Sequence, residues 1–199
     1  MFIIREIARA IRMTVLLWLL TAIIYPVATL GVGQVFRYQA KGSIMQNIQG
    51  ENIGSALIGQ QFRSDRYFQG RPSTIRYSQG KLGKPTGISG ASNLAPSNPE
   101  LLNRIVERSN QLRDESIQPF ADLIYTSGSG LDPHISVRTA QEQLERVASA
   151  RGITREEILP LIQQYTDDRF LGIFGEPGVN LLKLNYALDL QEINRGRNQ

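Results

Sequence analysis

Met13 to Phe36 reads MTVLLWLLTAIIYPVATLGVGQVF, 24 consecutive residues without a formal charge. As a helix rising about 1.5 Å per residue, the run reaches roughly 36 Å, enough to cross a hydrocarbon core ~30 Å thick with some tilt. No later stretch repeats it. A secretory apolar region is shorter, about 7–15 residues, and ends in a small-x-small cleavage site. Neither Val27-Ala28-Thr29 nor Gly31-Val32-Gly33 is a clean one, and there is no cysteine to take a lipid. The run therefore reads as a retained anchor. The fold class it implies is α+β: a single N-terminal transmembrane helix followed by one mixed helix/strand domain. Residues 1–12 form a tail, 13–36 the membrane helix and 37–199 the domain.

Charge beside the run sets its orientation. Arg5, Arg9 and Arg12 precede it with only Glu6 against them, and Arg37 and Lys41 follow. An arginine-rich tail before a first helix stays in the cytoplasm, while a long following domain crosses largely regardless of its charge. The tail is expected to be cytoplasmic and the domain extracytoplasmic. Pro26 lies inside the run. In a soluble helix it would cost about 3 kcal/mol, whereas in a membrane helix local readjustment satisfies the freed carbonyl. Thr29 and Gly33 are four apart and share a face that a partner helix can approach closely. Two readings stand open, helix–helix packing around Pro26, Thr29 and Gly33, or a lone kinked tether.

The chain carries a net charge of +4. Residues 1–41 hold five basic and one acidic side chain, and residues 42–199 hold 17 of each sign. The whole excess flanks the membrane run. A neutral domain lacks the field that nucleic-acid binding needs, so no nucleic acid is expected as a partner. Without cysteine there is no thiolate site or redox couple, and a single histidine excludes a multi-histidine metal site within one chain. No metal is expected.

Within the domain, residues 53–62 read as a short strand edged by Gly54 and Gly59. Tyr67 and Phe68 read as core residues between solvated arginines, and Arg71 before Pro72 is expected to be extended. Residues 73–98 form a long Gly-, Pro- and Ser-rich loop, a length that is usually functional or partner-bound. Asn98 caps a helix with Pro99 in its first turn, with Leu101, Leu102, Ile105, Val106 and Leu112 on one side. Residues 121–125 read as a strand. Ser136 caps a helix whose inward residues are Ala140, Leu144, Val147 and Ala148, and Gly152 ends it. Thr154 and Glu157 match a capping box for a further helix that Pro160 disturbs. Glu176-Pro177-Gly178-Val179 reads as a type II turn. Leu182, Leu184, Tyr186, Leu188 and Leu190 alternate with polar or small residues, which reads as a strand with one buried face.

Three places invite a chemical reading. Ser127 or Ser129 with Asp132 and His134 could form a hydrolase set, but residues so close in sequence rarely reach triad geometry, and no nucleophile elbow is present. Ser127-Gly128-Ser129-Gly130 before a helix could hold a phosphate, yet it is neither a Walker loop nor a dinucleotide fingerprint. The pairs Glu156-Glu157 and Asp167-Asp168 are ordinary at helix termini. No catalytic residues are assigned. The rival reading is a membrane-anchored envelope hydrolase using Ser127 or Ser129 with His134.

Motifs along nearly the whole chain resemble those of the KdpC family, the small C subunits of bacterial potassium-transporting P-type ATPases. They are Gly54-Ser-Ala-Leu-Ile-Gly-Gln60 with Phe62, Tyr67-Phe-Gln-Gly-Arg71-Pro-Ser73, Ser92-Asn-Leu94 with Pro96-Ser-Asn-Pro99, and Arg146-Val-Ala148 with Ala150-Arg151. Val179-Asn180, Leu184-Asn185 and Leu188 complete the set near the C-terminus. The most specific is Thr126-Ser-Gly-Ser-Gly-Leu-Asp-Pro-His-Ile-Ser136. Ala91, Tyr125, Thr126 and Gly178 depart from the family's usual residues, Gly178 standing where an arginine is common.

The resemblance implies a non-catalytic subunit of a high-affinity potassium uptake pump in the bacterial plasma membrane. Its partners would be a channel-like potassium-binding subunit and a P-type ATP-hydrolysing subunit, with the lipid bilayer around the helix. It would support assembly and raise the ATP affinity of the hydrolysing subunit, so that ATP and potassium act at the level of the complex. ATP is cytoplasmic, and the expected topology puts the domain on the other side, so any such effect has to pass through subunit contacts. The candidate partner surface is Ser92, Asn93 and Leu94 with Thr126, Ser127, Gly128, Ser129, Gly130, Leu131, Asp132, Pro133 and His134.

Overall fold

The computed structural model describes residues 2–75 and 88–197, and its chain divides into two compact units, residues 1–44 and 45–199. The middle of the expected 73–98 loop lies outside the described residues.

The first unit is one long helix with a short return. Helix α1 (Phe2–Leu19) runs into a π-helical turn (Leu20–Ile24) and then α2 (Tyr25–Val35), followed by the one-turn α3 (Arg37–Ala40). The helix begins well before the uncharged run. Residues 2–35 are long and apolar enough to cross a membrane, and none of the most apolar stretch is buried within the protein. The π turn immediately precedes Pro26, whose ring and missing N–H cannot continue an α-helical ladder. Tyr25 N–H bonds Leu20 O, five residues back, and so carries the chain past the break. Thr21 Oγ1 donates to Leu17 O at 2.8 Å and Thr29 Oγ1 to Pro26 O at 2.9 Å, so these hydroxyls are satisfied within the helix. Gly33 faces Ala40, with 3.8 Å between the place its Cβ would occupy and the Ala40 Cβ.

The second unit has the mixed helix/strand architecture expected. A small hairpin of β1 (Ile44–Gln46) and β2 (Asn52–Ser55) opens it. Residues 56–75 and 88–98 follow without regular structure, apart from turns. Next come α4 (Pro99–Asp114), α5 (Ala121–Ile124), β3 (His134–Ser136), α6 (Val137–Arg151), α7 (Arg155–Gln164), β4 (Thr166–Asp167), β5 (Gly178–Asn180) and α8 (Leu181–Arg197). Strand β5 lies between β3 and β4, antiparallel to both, with Ile135 opposite Val179 and Thr166 opposite Val179. Phe68, Ile135, Leu144, Val147, Ile158, Ile162, Val179, Leu184 and Leu188 share one core among β3, β5 and helices α6, α7 and α8.

Caps start the helices where the sequence placed them. Asn98 accepts from Glu100 N–H, Ser136 from Thr139 N–H, and Thr154 and Glu157 form the reciprocal box. Gly152, at φ +63°, ends α6. Five expectations need correction, the first being the strand over 53–62, of which only the part up to Ser55 forms, as β2. Residues 181–197 form α8, not a strand: Leu181, Leu184 and Leu188 are buried at helical spacing, and Leu182, Asn185 and Ala187 are buried beside them. Residues 121–124 form a helical turn, in which only Leu123 reaches the core. Gly178 lies in the central strand β5, and the reversal comes earlier. Pro160 leaves α7 unbroken, because it is exposed and water can take the carbonyl it leaves unpaired. On α4, Leu102 and Val106 are 56% and 58% exposed, so only part of the expected face is covered.

The true reversal is a tight hairpin at residues 169–175. Phe170 N–H bonds Phe174 O at 2.8 Å, Phe174 N–H returns the bond at 3.0 Å, and Ile173 N–H bonds Phe170 O at 3.2 Å. Leu171 and Gly172 both have positive φ, +54° and +73°. That suits Asn-Gly, and a leucine held there costs about 1–2 kcal/mol.

The core is joined to residues 65–69 by side chains rather than by a strand. Asn185 Oδ1 accepts from Phe68 N–H at 2.9 Å and its Nδ2 donates to Phe68 O at 3.0 Å. Gln143 treats Gln69 the same way, at 2.8 and 3.0 Å. Arg146 donates to the carbonyls of Asp65 and Tyr67, and Arg151 to that of Arg66. Removing the Asn185 amide leaves two buried backbone groups unpaired, each worth roughly 1–3 kcal/mol. Asn185→Ala should therefore lose about 2–6 kcal/mol of unfolding free energy in chemical denaturation of the full chain in detergent, the sum of those two penalties. Asn194→Ala, exposed on the same helix, should stay within about 0.5 kcal/mol.

Candidate functional site

Residues 126–136 sit at the junction of four other segments. Ser127 N–H bonds Pro72 O at 2.9 Å, and Ser73 Oγ donates to Gly130 O at 2.8 Å. Gly90 N–H and Ser89 Oγ both bond Ser129 O, at 2.8 and 2.9 Å, and Thr126 Oγ1 bonds Ser92 Oγ at 3.3 Å. Gly59 N–H bonds Leu131 O at 2.7 Å, and the first amide of α8, Leu181 N–H, bonds Pro133 O at 3.0 Å. The glycines are required by close approach. A Cβ on Gly59 would stand 2.5 Å from Asp132 O, and one on Gly130, at φ +71°, would stand 2.7 Å from Gly90 O.

The hydroxyls of the motif serve the motif itself. Ser127 Oγ, in a residue only 1% exposed, accepts from Gly130 N–H at 3.1 Å and lies 3.2 Å from Ser129 Oγ, which accepts from Leu131 N–H at 3.1 Å. His134 is turned to the sheet. Its Nε2 is 2.9 Å from Asp167 Oδ2 and 3.3 Å from Asn180 Nδ2, and its backbone N–H bonds Asp132 Oδ1 at 3.0 Å. Asp132 also takes Arg71 Nη1 at 3.1 Å. The serines and the histidine are therefore each committed to other partners, and the hydrolase geometry is not assembled. The two amides a phosphate would use first, Gly130 and Leu131, are occupied by the serines. Gly178 lies where a Cβ would come within 3.2 Å of the His134 Cβ, so its bare backbone leaves the imidazole room to cross toward Asp167.

Of the candidate surface residues, Asn93, Gly128 and Ser129 are exposed. Ser127, Gly130 and Pro133 are buried, and Ser92, Leu94, Thr126, Leu131, Asp132 and His134 lie between. In the helical unit Thr29, Gly33 and Arg37 help to line a groove of about 520 Å³, and Pro26 is half-buried at the π turn. A second cavity, about 510 Å³, lies between residues 60–75 and α4, with Arg63, Arg71 and Arg108 facing Glu115. Among the described residues no three His, Asp or Glu side chains converge as a metal site.

Sequence reasoning missed Asp122, which reads there as part of a strand. Its carboxylate accepts from Ser136 N–H at 2.9 Å and Thr139 Oγ1 at 3.0 Å, pinning the start of α6 to α5. Burial opposes the charge, but the bonds from Ser136 and Thr139, with the field of Arg71, hold this carboxyl below its usual range. It missed the Phe170-Leu171-Gly172-Ile173-Phe174 tip as well, although four large apolar residues between Asp168 and Glu176 are a visible signal.

The class is thus a membrane-associated protein with one candidate membrane helix and a mixed helix/strand domain whose most distinctive motif is spent on its own architecture. The family described as the K+-transporting ATPase c chain, KdpC, matches residues 7–190, and the chain belongs to it. It is 68% identical to a potassium-transporting ATPase KdpC subunit 2 of Nostoc sp. over the full length of both chains. It is 66% identical to a KdpC subunit of Anabaena sp., again over both full lengths. Identity to the KdpC subunit of Synechocystis sp. is 59%, over 94% of this chain and 98% of that one.

Asp122 gives a pH test. A carboxyl whose pKa is lower folded than unfolded stabilises above its unfolded value, near 3.8, and that contribution fades as the pH falls through the folded value. Asp122→Asn should lower the melting temperature at pH 7, and the deficit should shrink below about pH 3.8, measured by thermal unfolding across pH.

Proposed function

We propose that this chain is a non-catalytic accessory subunit of a high-affinity, ATP-driven potassium uptake pump. It acts in assembly and, through subunit contacts, on the ATP affinity of the hydrolysing subunit. The observation that carries the reading is the state of the 126–136 motif, where serines, glycines and histidine are consumed in holding loops together and no reactive set is left. Membership of the KdpC family fits the same reading.

The helix of residues 2–35 anchors the chain in the bacterial plasma membrane, and Arg5, Arg9 and Arg12 keep its start cytoplasmic. The domain is then extracytoplasmic, over the mouth of a channel-like potassium-binding subunit. ATP and potassium belong to the complex, and the influence on ATP passes from this subunit to the P-type subunit through the membrane bundle. Pro26, Thr29 and Gly33 pack in that bundle. The exposed edge of the loop junction, Asn93, Gly128 and Ser129, faces the partner.

Affinity purification of the full-length chain from its native membrane in mild detergent should bring down a channel-like subunit and a P-type subunit with potassium-stimulated ATPase activity. Recovery of the chain alone, under conditions that keep other membrane complexes intact, would overturn the reading. Labelling of the purified chain by a serine-reactive probe, abolished by Ser127→Ala or Ser129→Ala, would instead favour the hydrolase.

A further inference from the structure

The hairpin between β4 and β5 ends in four large apolar side chains in the open. Phe170, Leu171, Ile173 and Phe174 are 71%, 73%, 71% and 62% exposed. A contiguous apolar patch with a polar rim marks an interaction site. We propose that this tip is a docking finger that seats in an apolar, basic-rimmed socket on another protein subunit of the pump. The inference rests on the accessory-subunit reading above.

Two observations choose the occupant. The first is charge. Asp168 and Glu176 flank the tip, both exposed and neither in an ion pair among the described residues, with Arg169 the one cation between them. The neighbouring Asp167 is already held by His134 and Lys183, at 2.9 and 3.5 Å. Apolar elements that settle on a bilayer surface carry lysine and arginine on the polar face beside their apolar one. An acidic collar lacks that feature and is complementary to a socket rimmed with basic side chains. The second is backbone conformation. Leu171 occupies φ +54° at the apex of a turn that asparagine would fit at less cost. Strain retained at an exposed, apolar apex points to a use for the side chain beyond the fold.

Those same facts separate folding from docking in a test. Leu171→Asn suits the turn and removes the apolar apex, so the melting temperature of the full chain should stay level or rise. Captured full-length Leu171→Asn/Ile173→Thr should retain the other pump subunits at least tenfold less well than the wild-type chain. The chain has no cysteine of its own, so Ile173→Cys carries one benzophenone probe at a single place. On illumination of the assembled pump, it should form an adduct with another subunit. Retention within twofold of wild type, or adducts only with lipid or with a second copy of this chain, would overturn the docking finger. If the wild-type chain itself captures no pump subunit, the accessory reading fails and the finger with it. Capture by wild type and variant alike removes the finger alone.

Discussion

Everything in the domain depends on how residues 65–69 are held without a strand partner. Five successive carbonyls are each taken by a side chain from α6 or α8: Arg146, Arg151, Arg146 again, Asn185 and Gln143. Buried backbone groups must be paired, and two carboxamides with their donor and acceptor side by side do here what a neighbouring strand would do. The consequence is positional. Phe68 is fixed at full burial against Leu144, Val147 and Leu184, and Tyr67 is set beside it, its hydroxyl on Asp189 at 3.1 Å. Burial, reinforced by that carboxylate, raises the Tyr67 pKa and keeps it a donor. Burial likewise pushes the Arg146 guanidinium down, against the pull of Asp65 and Glu115, and it stays charged because arginine starts so high.

The same clamp explains what was legible in the sequence and what was not. Caps were legible because they are local: Asn98, Ser136, Gly152 and the Thr154–Glu157 box act within four residues of themselves. The membrane run was legible because uninterrupted apolar length has one reading. Residues 181–190 were not. A helix packed on several sides buries residues outside a single stripe, and Leu182, Leu184 and Leu188 then look like alternation. Asn185, polar at a position the strand reading exposes, fits that reading in sequence, and only its burial departs from it. Its function depends on Phe68, 117 residues away, which no local pattern reports.

The glycine- and hydroxyl-rich motif was legible as a specific run, but its role was not. Ser-Gly-Ser-Gly suggests chemistry or anion binding because both need small residues and free amides. Here the small residues are needed because backbones meet. Gly59 lies against Asp132, Gly130 against Gly90, and the serines cap amides two and three residues ahead. The run is specific because several separated segments must converge on it, and a side chain added at either glycine would collide with backbone, at Gly130 with the Ile75 side chain as well. A motif can thus be stringent without being reactive.

Two of the surfaces left for other molecules to touch are apolar, and they differ in kind. Along the helix of residues 2–35 the uncharged run is long, and the hydroxyls of Thr21 and Thr29 turn inward to the Leu17 and Pro26 carbonyls, leaving nothing polar for hydrocarbon to desolvate at those points. The π turn before Pro26 serves the same end, moving the ladder past a residue that cannot donate. The 169–175 tip is short, strained at Leu171 and collared by Asp168 and Glu176. A lipid tail tolerates the first surface, whereas the second carries carboxylates at its edge, which stay in water or meet positive charge rather than enter hydrocarbon. Two apolar surfaces on one chain thus call for two different environments, one a fluid and the other a protein of definite shape.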